Sequence, residues 1–407
     1  MNLWPVIKLS WKNVWRNPMR SGVVVTAVIL GTWAGIFTSA FMNGLSLQYI
    51  RNELENYTAH IQIHHASYNE EKLPSFYIQS VDSLIAEIEN QPYVQSLTAR
   101  SVVEGLASSP TNTFGVTVKG INVEKDTTVS SIYTYLTEGE FLGESTRNPV
   151  LIGQKLADRL NIRTRSRIVI NFQDVEGNIT AGAFRVAGIF DSPNSGFDES
   201  NVFVPKEDLN RLLGRENTVH EIAILVDDFK QAYTYAEQLR QSENIQVQAW
   251  GDLSPALRYT DSMLDFVLYI FMIIIVIALS FGIVNTMLMA VVERTQELGM
   301  LMAIGVNKAR TFFMIMFETL FLTMVGVPAG LFLSWVAVTW AGNAGIDLSA
   351  FSQGLEMYGM SAMVHPELSA AYYGNIALLM IVATLLAAIY PSIKALKLNP
   401  VQALRKH

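Results

Sequence analysis

The sequence contains no cysteine. That absence excludes a disulfide framework, a thiolate metal site and a thiol nucleophile. It also excludes a lipobox, so the chain is not itself a lipoprotein. Charge is scarce: 16% of residues are charged against 50% hydrophobic, with a positive mean hydropathy. This balance marks a membrane protein. A formal net charge of −7 argues against nucleic acid as a partner. No G-x-x-x-x-G-K-[ST] loop is present, so the chain does not hydrolyse ATP by that route. No G-x-S-x-G nucleophile elbow is present either. Two stretches are bare of charge or of one sign of it. Residues 21–50 hold no charge, and Ala341–Tyr372 hold no Lys or Arg, only Asp347, Glu356 and Glu367.

What is present is long apolar runs. A membrane helix takes about 20 residues at ~1.5 Å rise. Stretches of that length lie within Ser21–Ile50, Phe266–Val292, Thr311–Trp340 and Tyr373–Ile393. The first is far longer than the core of a cleaved signal peptide, so it reads as a span. Basic residues cluster at Lys8, Lys12, Arg16 and Arg20, at Arg294, Lys308 and Arg310, and at Lys394, Lys397, Arg405 and Lys406. By the positive-inside rule both termini and the loop near Glu293 are cytoplasmic. The expected order is an interfacial helix at 1–20, spans at 21–45, 264–292, 311–340 and 373–393, and an external α+β domain with stalks at 46–260. A cytoplasmic segment at 293–310, an external loop at 341–372 and a cytoplasmic tail at 394–407 complete it.

Within that frame, Trp4, Ile7, Trp11 and Val14 or Trp15 recur at spacings of three and four, with Lys8, Lys12 and Arg16 on another face. This suits a helix lying in the membrane interface; a plain N-terminal anchor is the alternative. Gly31 and Gly35 in the first span, and Gly326 and Gly330 in the third, have the small-xxx-small spacing that lets helix backbones approach. Pro328 predicts a kink in the third span. Helical character is expected to continue to Asn56, and the second span to begin near Ser254, giving two stalks.

The external domain alternates strand and helix signals. Strands are expected at Ala59–His65, Arg100–Ser108, Thr113–Ile121, Ile168–Phe172, Ala183–Ile189, His220–Val226 and Gln246–Trp250. Helices are expected at Ser80–Asn90, Gln154–Leu160, Asp208–Leu213 and Phe229–Ser242, with a hairpin turn at Glu176–Asn178. A second lobe, from about 107 to 199, reads as inserted into the first. His60 and His64 share a strand face but lie roughly 13 Å apart at ~3.3 Å per residue, and His65 points the other way, so no metal site is read there.

The stretch from Glu293 to Gly305 is the anomaly, because it places charge between two apolar runs. Glu293 and Glu297 lie one helical turn apart, and Leu298, Leu301 and Met302 form an apolar stripe. Gly299 and Gly305 permit close approach and a turn. Such a helix suits docking on another protein; an ordinary charged loop marking the membrane boundary is the bland reading. Glu318 is costly inside a membrane and faces protein or water. It reads as a helix-packing hydrogen bond rather than a proton relay.

Glu293-Arg294-Thr295-Gln296-Glu297-Leu298-Gly299, followed by Ala303-Ile304-Gly305, resembles the E-R-x-x-E-I-G…R-A-L/I-G segment of FtsX-like ABC permeases. That group includes MacB-type exporters and lipoprotein-releasing permeases of the LolC/LolE type. Pro391 to Ala395 with Asn399 to Arg405, and Trp15 to Arg20, are similar to the family's closing and opening motifs. Glu318 with Gly326 and Gly330 matches its third span, and Gly120–Asn122, Leu151–Ala157 and Phe184–Phe190 are similar to family strands. Met302 stands where the family commonly has Arg.

The resemblance implies four spans, with a porter-like lobe and an inserted lobe between the first two. It implies that two permease subunits, identical or related, work with two ABC ATPase subunits that bind ATP and Mg, while this chain is not itself an enzyme. Glu293, Arg294, Glu297, Leu298, Gly299, Leu301, Met302, Ala303 and Gly305 are then the segment coupling the ATPase to the external domain. The expected task is lipoprotein release or export of an envelope substrate from the inner membrane, with lipid and an external partner or lipoprotein as further contacts. An FtsX-like regulator of a cell-wall hydrolase is the alternative, and a secondary transporter a weaker one.

Overall fold

The computed structural model describes residues 4–142, 147–240, 244–304, 306–351, 354–355 and 362–397. The chain forms two compact units. One takes the chain up to Ser46, Ser262–Asp347 and the chain from Met363 onward; the other takes Leu47–Asp261 and Leu348–Ala362.

The first unit is a helical bundle. Its four long apolar helices are Pro18–Glu53, Pro255–Glu293, Lys308–Ala344 and Ala370–Leu396. They are referred to as the first to fourth spans. The first runs past residue 45, and the fourth starts three residues before the expected Tyr373. The third continues through Pro328. A shorter helix, Trp4–Arg16, precedes them. Its Val6, Ser10 and Val14 recur every fourth residue and are buried, while Trp4, Trp11 and Trp15 stay exposed. Ser10 Oγ donates to the carbonyl of Met314 at 3.0 Å, pinning this helix to the third span.

Close helix approach is written in the glycines. A Cβ on Gly326 would lie 2.8 Å from Val28 Cγ1, and one on Gly330 would lie 2.7 Å from Thr32 Cβ, both on the first span. A Cβ on Gly31 would collide with Leu279 of the second span, and one on Gly35 would touch Met272. The second span is the least enclosed. Only 17% of its apolar window is buried, against 39–44% in the others, so most of its face is left for lipid or another protein.

The second unit is α+β. Its strands are β1 (Ile61–His65), β2 (Val94–Ser108), β3 (Thr113–Ile121), β4 (Leu136–Gly139), β5 (Pro149–Gly153), β6 (Arg167–Gln173), β7 (Ile179–Phe190), β8 (Asn201–Pro205), β9 (Glu221–Val226) and β10 (Ile245–Ala249). They hydrogen-bond in the order β10-β1-β9-β2-β3-β8-β5-β7-β4, with β6 pairing both β2 and β7. Two cores result. One packs β1, β9, β10 and the start of β2 with helices Val81–Glu89 and Ala232–Leu239, through Ile61, Ile63, Leu97, Ile224 and Val247. The other packs β3 and β5–β8 with helices Gln154–Leu160 and Lys206–Leu212, through Val118, Ile152, Ile170, Val186 and Leu209.

Strand β2 belongs to both. Residues from Val94 to Arg100 pair with β9, and residues from Ser101 to Ser108 pair with β3. The inserted lobe therefore begins at Ser101, not near 107, and the chain rejoins the first lobe only at β9, past the expected 199. The strand start was expected at Arg100 because residues 94–99 lack a clean period of two. The expected helix Phe229–Ser242 begins as a 3₁₀ turn at Phe229–Gln231 and its α-helical part ends at Leu239. A short ribbon, Ile346–Asp347 against Met363–Val364, was not foreseen.

Candidate coupling site

The second span ends at Glu293, and Arg294 turns the chain with φ −96° and ψ 15°. A nine-residue helix, Thr295–Ala303, follows at once. Thr295 Oγ1 donates back to Val292 O at 2.7 Å, taking up a carbonyl at the end of the span. After Ile304, Asn307 caps the third span, its Oδ1 accepting from Ala309 N at 3.1 Å. The segment is therefore a short helix clamped between two long ones.

Its two faces differ. Arg294, Leu298 and Gly299 are buried, and Leu301 and Met302 are half-buried. Leu298 belongs to the apolar core of the bundle, and Leu301 packs against it. Glu293, Gln296, Glu297, Met300, Ala303 and Ile304 are exposed. Met300 is 53% exposed and Ile304 76%. Leu298 and Leu301 of the apolar stripe read as a grip for a partner thus point into the chain's own bundle, Met302 is half-buried, and Met300 and Ile304 are exposed. Helical spacing identifies a stripe but not what lies opposite it. Gly305 lies outside the described residues, as does the motif from Asn399 to Arg405.

A polar network ties this segment to the rest of the bundle. The buried Arg294 guanidinium donates from Nη1 to Glu318 Oε1 and Oε2 at 3.1 and 3.0 Å. Asn13 Nδ2 donates to the same carboxylate at 2.7 Å. Arg294 Nε stands 3.5 Å from Glu297 Oε2, and Arg16 pairs with Glu297. Asn13, Arg16, Arg294, Glu297 and Glu318 therefore join the N-terminal helix, the short helix and the third span. Arg294 Nε and Nη2 are buried and have no hydrogen-bond partner among the described residues. Sequence reasoning missed Asn13 and Arg16 as members. The signal was there, since Asn13 and Arg16 are three residues apart on one helix face.

The three clustered histidines, His60, His64 and His65, are spent on hydrogen bonds. His64 contacts His220 O and Gln62 Oε1, both at 2.9 Å, and His60 Nδ1 accepts from Val226 N at 3.0 Å. His65 Nδ1 accepts from Ser67 N at 3.3 Å. Among the described residues no group of three metal-binding side chains comes together.

Near β2 lies a second buried network. Arg100 donates from Nε to Asp126 at 2.6 Å and from Nη1 to Glu221 at 2.8 Å. Burial pushes the Glu221 carboxyl up, but Lys119 and Arg100 outweigh it and hold the group below its ordinary range. Lys119 is itself held low by burial.

Two family models cover this chain. The MacB-like periplasmic core domain matches residues 21–242, and the FtsX-like permease C-terminal domain matches residues 269–400. The chain belongs to this family of ABC transporter permeases. It is 23% identical to the lipoprotein-releasing system transmembrane protein LolC of Neisseria meningitidis, over 94% of this chain and 93% of that one. It is also 23% identical to the ABC transporter permease YknZ of Bacillus subtilis, over the full length of both. The solved periplasmic region of MacB from Actinobacillus actinomycetemcomitans aligns with 52% of this chain and 97% of its own length, at 14% identity and a TM-score of 0.34.

Proposed function

We propose that this permease transmits work from a separate ATPase subunit to its external domain. The carrying observation is the segment Glu293–Ile304, a clamped helix with an apolar pair, Met300 and Ile304, held outward. An exposed apolar pair rimmed by Glu293, Gln296 and Glu297 suits a protein contact. The polar network behind it links any displacement of the short helix to the third span and the N-terminal helix. In this reading two ATPase subunits, which bind ATP and Mg, act on two permease subunits. Glu293, Arg294, Glu297, Leu298, Gly299, Leu301, Met302, Ala303 and Gly305 form the coupling element, with both termini cytoplasmic and the chain in the inner membrane.

The work is done on an envelope substrate outside the membrane. The near full-length similarity to LolC supports release of a lipoprotein as the task. The test is copurification and ATP hydrolysis of the cognate ATPase with Met300→Asp/Ile304→Asp. Loss of association or of stimulated hydrolysis, with normal membrane insertion, is expected. Wild-type association and stimulation would sink the reading.

A further inference from the structure

We propose that the external end of the first span is a lever that closes a cleft between the two lobes of the external unit. This rests on the reading of the short helix as the entry point of ATP-driven work. From Leu47 on, the first span's helix belongs to the external unit, and it ends in a π turn, Leu54–Thr58. Such turns are rare and frequently mark functional sites. Here Ala59 N closes the turn by donating to Leu54 O at 2.7 Å. Ala59 itself has φ 60° and ψ −178°, a conformation that strains any residue but glycine. Its buried methyl packs against Ala223 of the first lobe and Val129 of the inserted one.

The end of the helix holds both lobes. Ile50 and Leu54 lie in the core of the first lobe. Polar groups of the same segment hold the inserted lobe. Asn194 Nδ2 donates to Glu53 Oε2 at 3.1 Å, Ser131 N to Glu55 O at 3.1 Å, and Ser130 Oγ to Asn56 O at 3.2 Å. The carbonyls of Glu55 and Asn56 can accept because the helix stops there. Next to Ser130 and Ser131, Ile132 packs with Phe190 and Phe203 in the inserted lobe. The second span starts from the first lobe, where Trp250 and Leu257 lie in the core and Trp250 Nε1 donates to Phe229 O at 3.0 Å. The end of the first span thus pivots on one lobe and grips the other.

Between the lobes lies a cavity of about 630 Å³. Helix Val81–Glu89 of the first lobe forms one wall and helix Lys206–Leu212 of the inserted lobe the other, over Leu97 and Ala99 of β2. Asp82 and Lys206 stand on opposite walls, and neither has an ion pair among the described residues. The floor is where β2 passes from β9 to β3, between Arg100 and Ser101. A strand that changes partners there can bend. Arg100, bonded to Asp126 and Glu221, sits at that change and acts as the pin of the hinge. A pull on the first span swings the inserted lobe about this pin, narrows the cleft and pairs Asp82 with Lys206.

The chain has no cysteine, so Glu87→Cys/Arg211→Cys places two spin labels alone, one on each wall. Electron-spin distance measurements on the full chain read the cleft, first alone and then with the ATPase and a non-hydrolysable ATP analogue. The nucleotide is expected to shorten the distance by several ångströms. Ser130→Ala/Asn194→Ala is expected to lose that shift while stimulated ATP hydrolysis persists, and to broaden the distance distribution of the permease alone. Glu53→Gln, whose amide oxygen still accepts from Asn194, is expected to keep the shift. Asp82→Lys is expected to lose it by repulsion from Lys206, and Asp82→Lys/Lys206→Asp to regain it. An unchanged distance while ATP is hydrolysed overturns the lever, as does a shift that survives Ser130→Ala/Asn194→Ala. A shift that survives Asp82→Lys, or is not regained by the swapped pair, overturns the closure. Failure of the ATPase to associate sinks the coupling reading instead. The lever is then decided on the permease alone, where a distribution no broader without the grip overturns it.

Discussion

Arg100 and Arg294 are both buried arginines, and they are held differently. Arg100 grips two carboxylates, Asp126 and Glu221, from separate elements, at 2.6 and 2.8 Å. Burial disfavours its charge, but these two partners outweigh that and push its pKa up. Arg294 hydrogen-bonds one buried carboxylate, Glu318, and stands 3.5 Å through Nε from the half-exposed Glu297, and among the described residues its Nε and Nη2 make no hydrogen bond. The first arrangement is a stitch, fixed in one geometry. The second has capacity to spare, and a rotated short helix has guanidinium donors with which to make new bonds. The comparison sets an arginine saturated by two carboxylates in the α+β unit against one with hydrogen-bond donors to spare, among the described residues, beside the short helix.

Removing the stitch should cost most. Arg100→Met leaves Asp126 and Glu221 facing each other in a buried site, a loss of about 3–5 kcal/mol. Denaturant unfolding of the full chain, followed by probes in the external domain, measures it, and a loss under ~1 kcal/mol would erase the distinction.

Acid tests the same seam next. His220 donates its backbone N–H to Arg100 O and accepts from Val102 N on Nδ1 at 3.1 Å, while Nε2 donates to Pro74 O. Burial pushes its pKa down to about 4. Its folded pKa lies below the unfolded ~6.5, so its contribution is full above pH 6.5 and lost as pH falls toward 4. Complete loss amounts to roughly 3 kcal/mol. Asp198 works in the opposite direction. Burial pushes it up to about 7, so its contribution is present below the unfolded ~3.9 and lost as pH rises through 7. Melting curves between pH 7 and 4 should therefore be flattest for wild type. Asp198→Asn should become more acid-sensitive, and His220→Gln should be stabilised by acid. Parallel curves for all three would remove both groups from the account.

Arg294→Met should cost less than Arg100→Met, about 2 kcal/mol, because Asn13 still satisfies Glu318. Adding Glu318→Gln should recover most of that stability while stimulated ATP hydrolysis stays low. If the double variant regains hydrolysis as well, the network is a packing device and not a joint. Arg16→Gln should be smallest, under ~1 kcal/mol by thermal shift, since its pairing with Glu297 is exposed.

Much of the fold was legible because lipid and water impose strong patterns. The spans declare themselves by missing charge, and Gln154–Leu160 has the expected boundaries in the structure. Strand β8 has no counterpart in the sequence reading, and β5 enters it only through the resemblance of Leu151–Ala157 to a family strand. β5 is buried at all five positions and is flanked by β7 and β8, so it has no alternation to read. At the candidate site, the charged segment stood out but its orientation did not. Leu298, Leu301 and Met302 make the same stripe whether they face a partner or the bundle. The pairing of Arg294 with Glu318 joins helices 24 residues apart, a distance no local pattern encodes.

Strand β2 has one more consequence. At 15 residues it spans roughly 50 Å and donates its first half to one core and its second half to the other. Neither lobe can lose its order without unzipping a strand the other depends on. The inserted lobe is therefore not a separable module but half of a single cooperative unit, and calorimetry should see the two cores melt in one transition.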